Sequence, residues 1–229
     1  MNPRILLTGF HPFDGASINE SWEAVLAARD LLCTPTPSGG AELHGAGMSV
    51  DVVDVVQLPV EFSTAGDLLT DAIDATGATI VIATGLAAGR TAVGPERVAI
   101  NIQDARIPDN AGASPIDVPC VTGGPAAYFA TLPIKRSTAT LVECGIPAAV
   151  SNTAGTYVCN DVFYRLMHHL ATTGHGEGAA RIGGFVHVPA ERDLPIATSA
   201  QALAQIAQVS ADVWSRGIAD AAITGGTVA

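Results

Sequence analysis

Short apolar runs alternate with amphipathic stretches along the chain. RILLTGF (4–10) is apolar up to a Thr-Gly pair and predicts a buried first strand with a turn at its carboxyl end. NESWEAVLAARDLL (19–32) opens on an N-capping residue and carries helical spacing through Trp22, Val25, Leu26 and Leu32. TPTPSGGAELHGAG (34–47) is rich in Pro and Gly and predicts a surface loop. MSVDVVDVVQLPV (48–60) alternates and is β-branched, so it predicts a strand. STAGDLLTDAIDATG (63–77) predicts an amphipathic helix. TIVIATG (79–85) is apolar throughout, like a strand covered on both faces of a parallel sheet.

From Leu86 to about Gly124 the periodicity lapses. This stretch includes GLAAGRTAVGPERVAINIQDARIPDNAG (85–112), and so long an irregular segment is commonly functional. Beyond it the pattern predicts a helix over 132–145, a strand over 148–153 (AAVSNT) and a helix from about Tyr157 to Leu170. A strand over 181–189 (RIGGFVHVP) and a closing helix over 197–222 complete it. Strands alternating with helices predict an α/β fold: one domain over 1–229, with a central, twisted, mainly parallel sheet flanked by helices on both faces in a three-layer sandwich. In such sheets ligands sit beyond the carboxyl ends of the strands. TGFHPFDG, TGLAAGR, SNTAGTYVC and VHVP all fall there, which is the first sign of a site.

Composition narrows the function. With 229 residues, 48% hydrophobic and 14% charged, the chain can build a sizeable core. A formal net charge of −11 argues against nucleic-acid or anionic-membrane partners, which would need a basic face. No apolar run approaches the roughly 18 residues of a membrane span, and Met1 leads straight into the first strand, so a cytoplasmic protein is expected. The four cysteines, Cys33, Cys120, Cys144 and Cys159, form no CxxC pair. Neither a disulfide nor a metal site is expected.

SNTAGTYVCND (151–161) holds the sharpest candidate. TAG makes a tight strand-to-helix turn, and Cys159 falls in the first turn of the following helix. There the dipole and the free N–H groups favour a thiolate and offer donors to an oxyanion. Cys33, Cys120 and Cys144 read as packing residues, since free cysteine is mostly buried. A cysteine nucleophile needs a base. His168 and His169 sit two to three turns into the same helix and are carried away from the thiol. His44 and His175 lie in Gly-rich loops, and His11 lies in the first loop. His187 ends the last strand, where an adjacent β/α unit would put it near the turn that leads to Cys159; the competing reading is a satisfied strand-end histidine. A third group must orient the imidazole, and Glu96, Asp104 and Asp109 are all candidates by position.

LLTGFHPFDGASINESWEAV, GLAAGR, PERVAINIQDARIPDNAG, GGPAAYFATLPIKR, GIPAAVSNTAGTYVCN and GGFVHVP, in this order from about Leu6 to Pro189, together resemble the pyroglutamyl-peptidase I (pyrrolidone-carboxylate peptidase) family. The resemblance implies a cysteine peptidase that removes an N-terminal pyroglutamyl residue from peptides. It also implies a single α/β domain, no cofactor and a homotetramer. Carried over by motif, it implies a triad of Glu96, Cys159 and His187, with the oxyanion held by the Cys159 N–H and Arg106. It implies a substrate slot of Phe10, Phe13, Val60, Ile107, Tyr157 and Val158, with Asn19 and the Leu86 backbone as partners for the ring amide.

Three positions depart from the family's usual pattern. Asp14 stands where a glycine is usual, Glu20 replaces a proline, and AERDLPIATS follows HVP in place of YIPEQ. The first two bear on the order of the Phe10–Phe13 loop, the third on a surface or subunit contact. None removes a triad member. A catalytically silent binder of pyroglutamyl peptides and a nucleoside phosphorylase-like enzyme are the competing readings. GLAAGR is neither a Walker loop nor a dinucleotide fingerprint, and phosphorolysis would leave Cys159 without a role.

Overall fold

IVIATGL forms the centre of the sheet because it has no polar side chain larger than threonine. A computed structural model describes residues 2–33, 52–173 and 180–226. In chain order the elements are β1 (Arg4–Phe10), α1 (Glu20–Cys33), β2 (Val52–Leu58), α2 (Thr64–Thr76), β3 (Ile80–Leu86), β4 (Gly94–Pro95), β5 (Val98–Ile100), β6 (Ala127–Phe129), α3 (Ile134–Glu143), α4 (Val158–Thr173), β7 (Ile182–Val188) and α5 (Ile196–Arg216). The predicted loop 34–47, the start of the predicted strand at 48–51, and His44 and His175 lie outside the described residues.

The main sheet runs β2-β1-β3-β7-β4, parallel except for the antiparallel edge strand β4. Alternate side chains feed two cores. Ile5, Leu7, Ile80, Ile82, Val186 and Val188 pack under α1, α3 and α5. Leu6, Phe10, Val81, Ala83 and Phe185 pack under α2 and α4. Each buried aliphatic side chain contributes roughly 1.5–3 kcal/mol, so the two layers outweigh weak local propensities. The three-layer arrangement expected from the periodicity is the observed one. No helix among the described residues is long and apolar enough to cross a membrane.

The differences from the expected elements have local causes. The closing helix stops at Arg216 instead of 222 because Gly217 takes a left-handed backbone, φ 61°, and caps it. The irregular region contains two short strands, β4 and β5, and β6 follows just beyond it; all three are too brief for any periodicity to register. The expected strand 148–153 is not a continuous strand. Its backbone runs alongside 93–97, with Ala149 N–H donating to Val93 O and Ser151 N–H to Pro95 O. Pro95 has no N–H to donate back, so only isolated bridges form, Val93 with Ala148 and Glu96 with Ser151. The segment still extends the edge of the sheet, beside β4.

Candidate active site

The carboxyl ends of β1, β3 and β7 meet at one rim, and β4 brings a fourth segment to it. Along β7, Phe185 and His187 point to the α4 side, and His187 is level with Gly85 of β3. The same face of Gly85 meets the start of α4. A β-carbon placed on Gly85 would lie 2.8 Å from Cys159 Sγ and 2.8 Å from the Phe185 ring. The sulfur therefore rests on the backbone of β3, on the face and at the level where the neighbouring strand carries His187.

Cys159 is held there by its sequence neighbours. Asn160 is fully buried, accepting from Ile100 N–H (3.0 Å) and donating to Ile100 O and Ile102 O (both 2.9 Å). Asp161, also fully buried, accepts from Ser63 N–H (2.8 Å), the Gln103 amide (2.7 Å) and Arg165 Nε (3.0 Å). These bonds fix the first turn of α4 to the irregular region and to the start of α2. The sequence drew attention to Cys159 and passed over the two polar residues that anchor it.

Of the three candidate acids, the one that reaches His187 is Glu96. Its Oε1 accepts from His187 Nδ1 at 2.7 Å, in a fully buried contact. With the Nδ1 proton directed at the carboxylate, Nε2 of the neutral ring is the acceptor. Asp109 instead clips a turn: Oδ1 accepts from the Ala111 and Ala113 N–H groups and Oδ2 from Phe62 N–H. Asp104 is exposed. His168 bonds Tyr128 OH (2.9 Å) and His169 bonds Asp74 (3.1 Å), well down α4 from the thiol.

The electrostatics oppose one expectation. At the start of α4 the half-buried Cys159 is pushed away from its thiolate form. Burial, followed by the Glu96 charge, pushes the thiol up to about 12, against the weaker opposing pull of Arg90 and of its own backbone N–H. Burial also holds the His187 imidazole below its ordinary value, with only partial compensation from the Glu96 hydrogen bond and charge. Both shifts favour the neutral forms, the thiol of Cys159 and the uncharged imidazole of His187.

The apolar residues of the expected slot gather partly around this pair. Phe10, Val60 and Val158 are buried in the α2/α4 core, with Phe13, Tyr157 and Cys159 packed against them. The Tyr157 ring lies tilted against Phe13 (5.6 Å) and meets Phe62 edge-on (5.2 Å), and its hydroxyl donates to Pro108 O. Leu86 and Ile107 are half-buried and lie outside that cluster. Asn19 caps α1 through Oδ1, which accepts from Ser21 N–H and Ser21 OH, while Nδ2 donates to His11 O. It thereby orders the loop that carries Phe13. Arg106 is exposed, and the cation that acts on the thiol is Arg90. Arg90 was visible only as the last letter of GLAAGR, with nothing in the sequence to say where its side chain goes.

Other expectations change as well. Cys120 is buried, and its thiol is pushed up to about 12 chiefly by burial, as suits a packing residue. Cys33 and Cys144 are exposed, each at a helix end. Glu20 and the segment after Pro189 meet within the chain, Glu191 N–H donating to Glu20 Oε1 at 3.4 Å. A cleft of about 600 Å³, lined by Pro133, Ile182, Trp214 and Asp220, lies at the amino end of the sheet and contains none of the triad residues.

Comparison with known proteins bears on this geometry. The pyroglutamyl peptidase family profile matches residues 3–219. The pyrrolidone-carboxylate peptidase of Clavibacter michiganensis is 48% identical over 196 residues, covering 86% of this chain and 83% of that one. That of Erwinia tasmaniensis is 50% identical over 186 residues, covering 81% and 78%. The crystal structure of Bacillus amyloliquefaciens pyroglutamyl peptidase I superposes with a TM-score of 0.79 at 37% identity, over 96% of this chain and all of that one. The pyrrolidone carboxyl peptidase from Thermococcus litoralis gives 0.80 at 33% identity, over 97% and 99%.

Proposed function

This chain belongs to the pyroglutamyl peptidase family, and from that premise we propose that Glu96, Cys159 and His187 are the residues with which it hydrolyses the amide bond after an N-terminal pyroglutamyl residue. It is a hydrolase, and neither a silent binder nor a phosphorylase is favoured by its relatives. The observation that carries the assignment is the buried 2.7 Å bond from His187 Nδ1 to Glu96, at the strand level where Cys159 Sγ packs on Gly85.

The chemistry follows from neutral reactants. As Cys159 sulfur attacks the pyroglutamyl carbonyl carbon, His187 Nε2 takes the thiol proton, so the thiolate exists only while the new bond forms. Glu96 stabilises the imidazolium that results. The oxyanion is met by the Cys159 N–H, free of an intrahelical partner at the start of α4, and by Arg106 from the adjacent loop. His187 then protonates the leaving amine, the C–N bond breaks, and a thioester remains. Water attacks that thioester, with His187 as base, and pyroglutamate and the thiol are released.

The substrate side of the reading is a slot for a lactam ring without an ammonium. Phe10, Phe13, Val60, Ile107, Tyr157 and Val158 supply apolar walls, and Asn19 and the Leu86 backbone meet the ring amide. Exposed Ile116 (74%) and Phe129 (70%) support self-association, and we take a cytoplasmic homotetramer as the working form. The test is release of p-nitroaniline from pyroglutamyl p-nitroanilide. Wild type is expected to turn over, and Cys159→Ala to fall to background; turnover surviving in the variant would end the assignment.

A further inference from the structure

The hydrolase reading uses one oxygen of Glu96 for His187, and a second side chain holds the same oxygen. Arg90, on the β3–β4 connection, donates from Nη1 to Glu96 Oε1 at 2.8 Å and from Nη2 to Thr153 O at 3.0 Å. Its side chain is 33% exposed, while that of Glu96 is fully buried. Glu96 Oε2 has no partner among the described residues, so both recorded bonds of this carboxylate run through Oε1.

We propose that Arg90 is a positioning residue of the active site: its two-pronged guanidinium locks the Glu96 carboxylate in place for His187 and ties that pair to the TAG turn that presents Cys159. The proposal rests on the hydrolase reading above.

Three features of the structure point this way. Space for the guanidinium is built in. Gly94 stands opposite His187 across β4 and β7, and a β-carbon there would lie 2.6 Å from Arg90 Nη1. The other nearby cation is turned elsewhere, Arg97 donating to Asn152 Oδ1 and Gly225 O. Among the described residues, the ion-pair partners of Glu96 are Arg90 and His187. One prong holds the buried Glu96 charge while the other fixes the guanidinium on Thr153 O, a span that a lysine would not reproduce.

Among the described residues, the charged and titratable groups that face this centre are Glu96 from the segment after β4, His187 from β7, Cys159 from α4, Tyr157 from the turn before α4, which faces Cys159, and Arg90 itself. The Arg90 charge disfavours the protonated imidazole and favours the thiolate. Removing it makes both His187 and Cys159 hold their protons to higher pH. Whichever of the two governs the acid limb of kcat/KM, that limb moves to higher pH. A residue that merely held a loop would lower stability and leave the limb where it was.

The experiment measures pH profiles of kcat and KM for pyroglutamyl p-nitroanilide with full-length wild type, Arg90→Gln, Arg90→Lys and Cys159→Ala. Arg90→Gln is expected to lose about 10- to 100-fold in kcat with KM within about threefold, as a misaligned catalytic group does. Its acid limb should move up by about half a pH unit or more. Arg90→Lys should keep the limb near its wild-type position but stay about tenfold or more down in kcat, since one ammonium does not span Glu96 and Thr153. A superimposed acid limb in Arg90→Gln, or a kcat within about twofold of wild type in either variant, overturns the proposal. Should Arg90→Gln fail to fold, Arg90→Lys alone decides by that kcat criterion. Activity surviving Cys159→Ala would instead remove the underlying hydrolase reading; an inactive Cys159→Ala beside an unaffected Arg90→Gln removes this inference alone.

Discussion

Adding one methyl group at Gly85 tests whether the sulfur sits where the fold puts it. The new β-carbon would lie 2.8 Å from Cys159 Sγ and 2.8 Å from Phe185 Cζ. Comfortable contact is about 3.5–4.0 Å, so sulfur and ring must each retreat by roughly 0.7–1.2 Å. The ring has little room, with Phe10, Phe163 and His187 at centroid distances of 6.4, 6.0 and 4.9 Å. Overpacking of this kind costs about 1–3 kcal/mol, partly offset by about 0.4–1 kcal/mol from a stiffer unfolded chain. The net loss, about 1–2 kcal/mol, lowers Tm by roughly 2–8 °C in a domain of this size. A protein with the usual stability of about 5–15 kcal/mol stays folded at 25 °C after that loss. Displacing the nucleophile by about 1 Å, however, costs on the order of 100-fold in rate. Gly85→Ala is therefore expected to lose about 100-fold in kcat/KM on pyroglutamyl p-nitroanilide at 25 °C, with a modest drop in Tm. Gly183→Ala is the control. Its β-carbon meets Leu170 Cδ1 at 2.8 Å on the same face but touches no catalytic group, so its Tm should fall while kcat/KM holds. If Gly85→Ala kept activity within about threefold, the placement of Cys159 against β3 would be refuted.

Two further predictions concern charge and backbone. With the thiol pushed up to about 12 and the imidazole held low, wild type should show no ultraviolet thiolate absorbance attributable to Cys159 at neutral pH; a signal there that disappears in Cys159→Ala would contradict it. The folded state keeps the Cys159 proton where the unfolded chain loses it, so stability falls as pH rises from about 9 towards 12, a fall that Cys159→Ala should lessen and that thermal melts across that range would reveal. For His187 the sign is opposite: its lowered value makes stability fall as pH drops below about 6.5. Asp14 has φ 54°, a backbone that favours glycine, so Asp14→Gly should stabilise by up to about 1 kcal/mol and raise Tm by a few degrees; a lower Tm would show that the Asp14 side chain contributes more than its strain costs.

Much of the scaffold was legible because its signals are local. The strand Arg4–Phe10 falls where the apolar run fell, and α2 and β7 differ from the expected spans by a residue at each end. An unbroken apolar run cannot avoid burial, and periodicity fixes the element type. The start of α4 at Val158 made Cys159 conspicuous for the same reason. The broken 148–153 strand escaped because its fate depends on Pro95, in a neighbouring segment that the local pattern cannot see.

The sequence by itself determined that a cysteine would begin a helix and that a histidine would end a strand, since capping and periodicity are properties of neighbouring residues. Only the tertiary structure decided which carboxylate that histidine meets: Glu96 is 91 residues away along the chain and competes on equal terms with Asp104 and Asp109 until β4 pairs with β7. The same holds for the protonation of the thiol. A helix start favours the anion, but burial between β3 and Phe185 and the facing Glu96 charge act more strongly, and both come from parts of the chain that only folding brings near. Desolvation and charge act through space, and distance along the chain says little about distance through it.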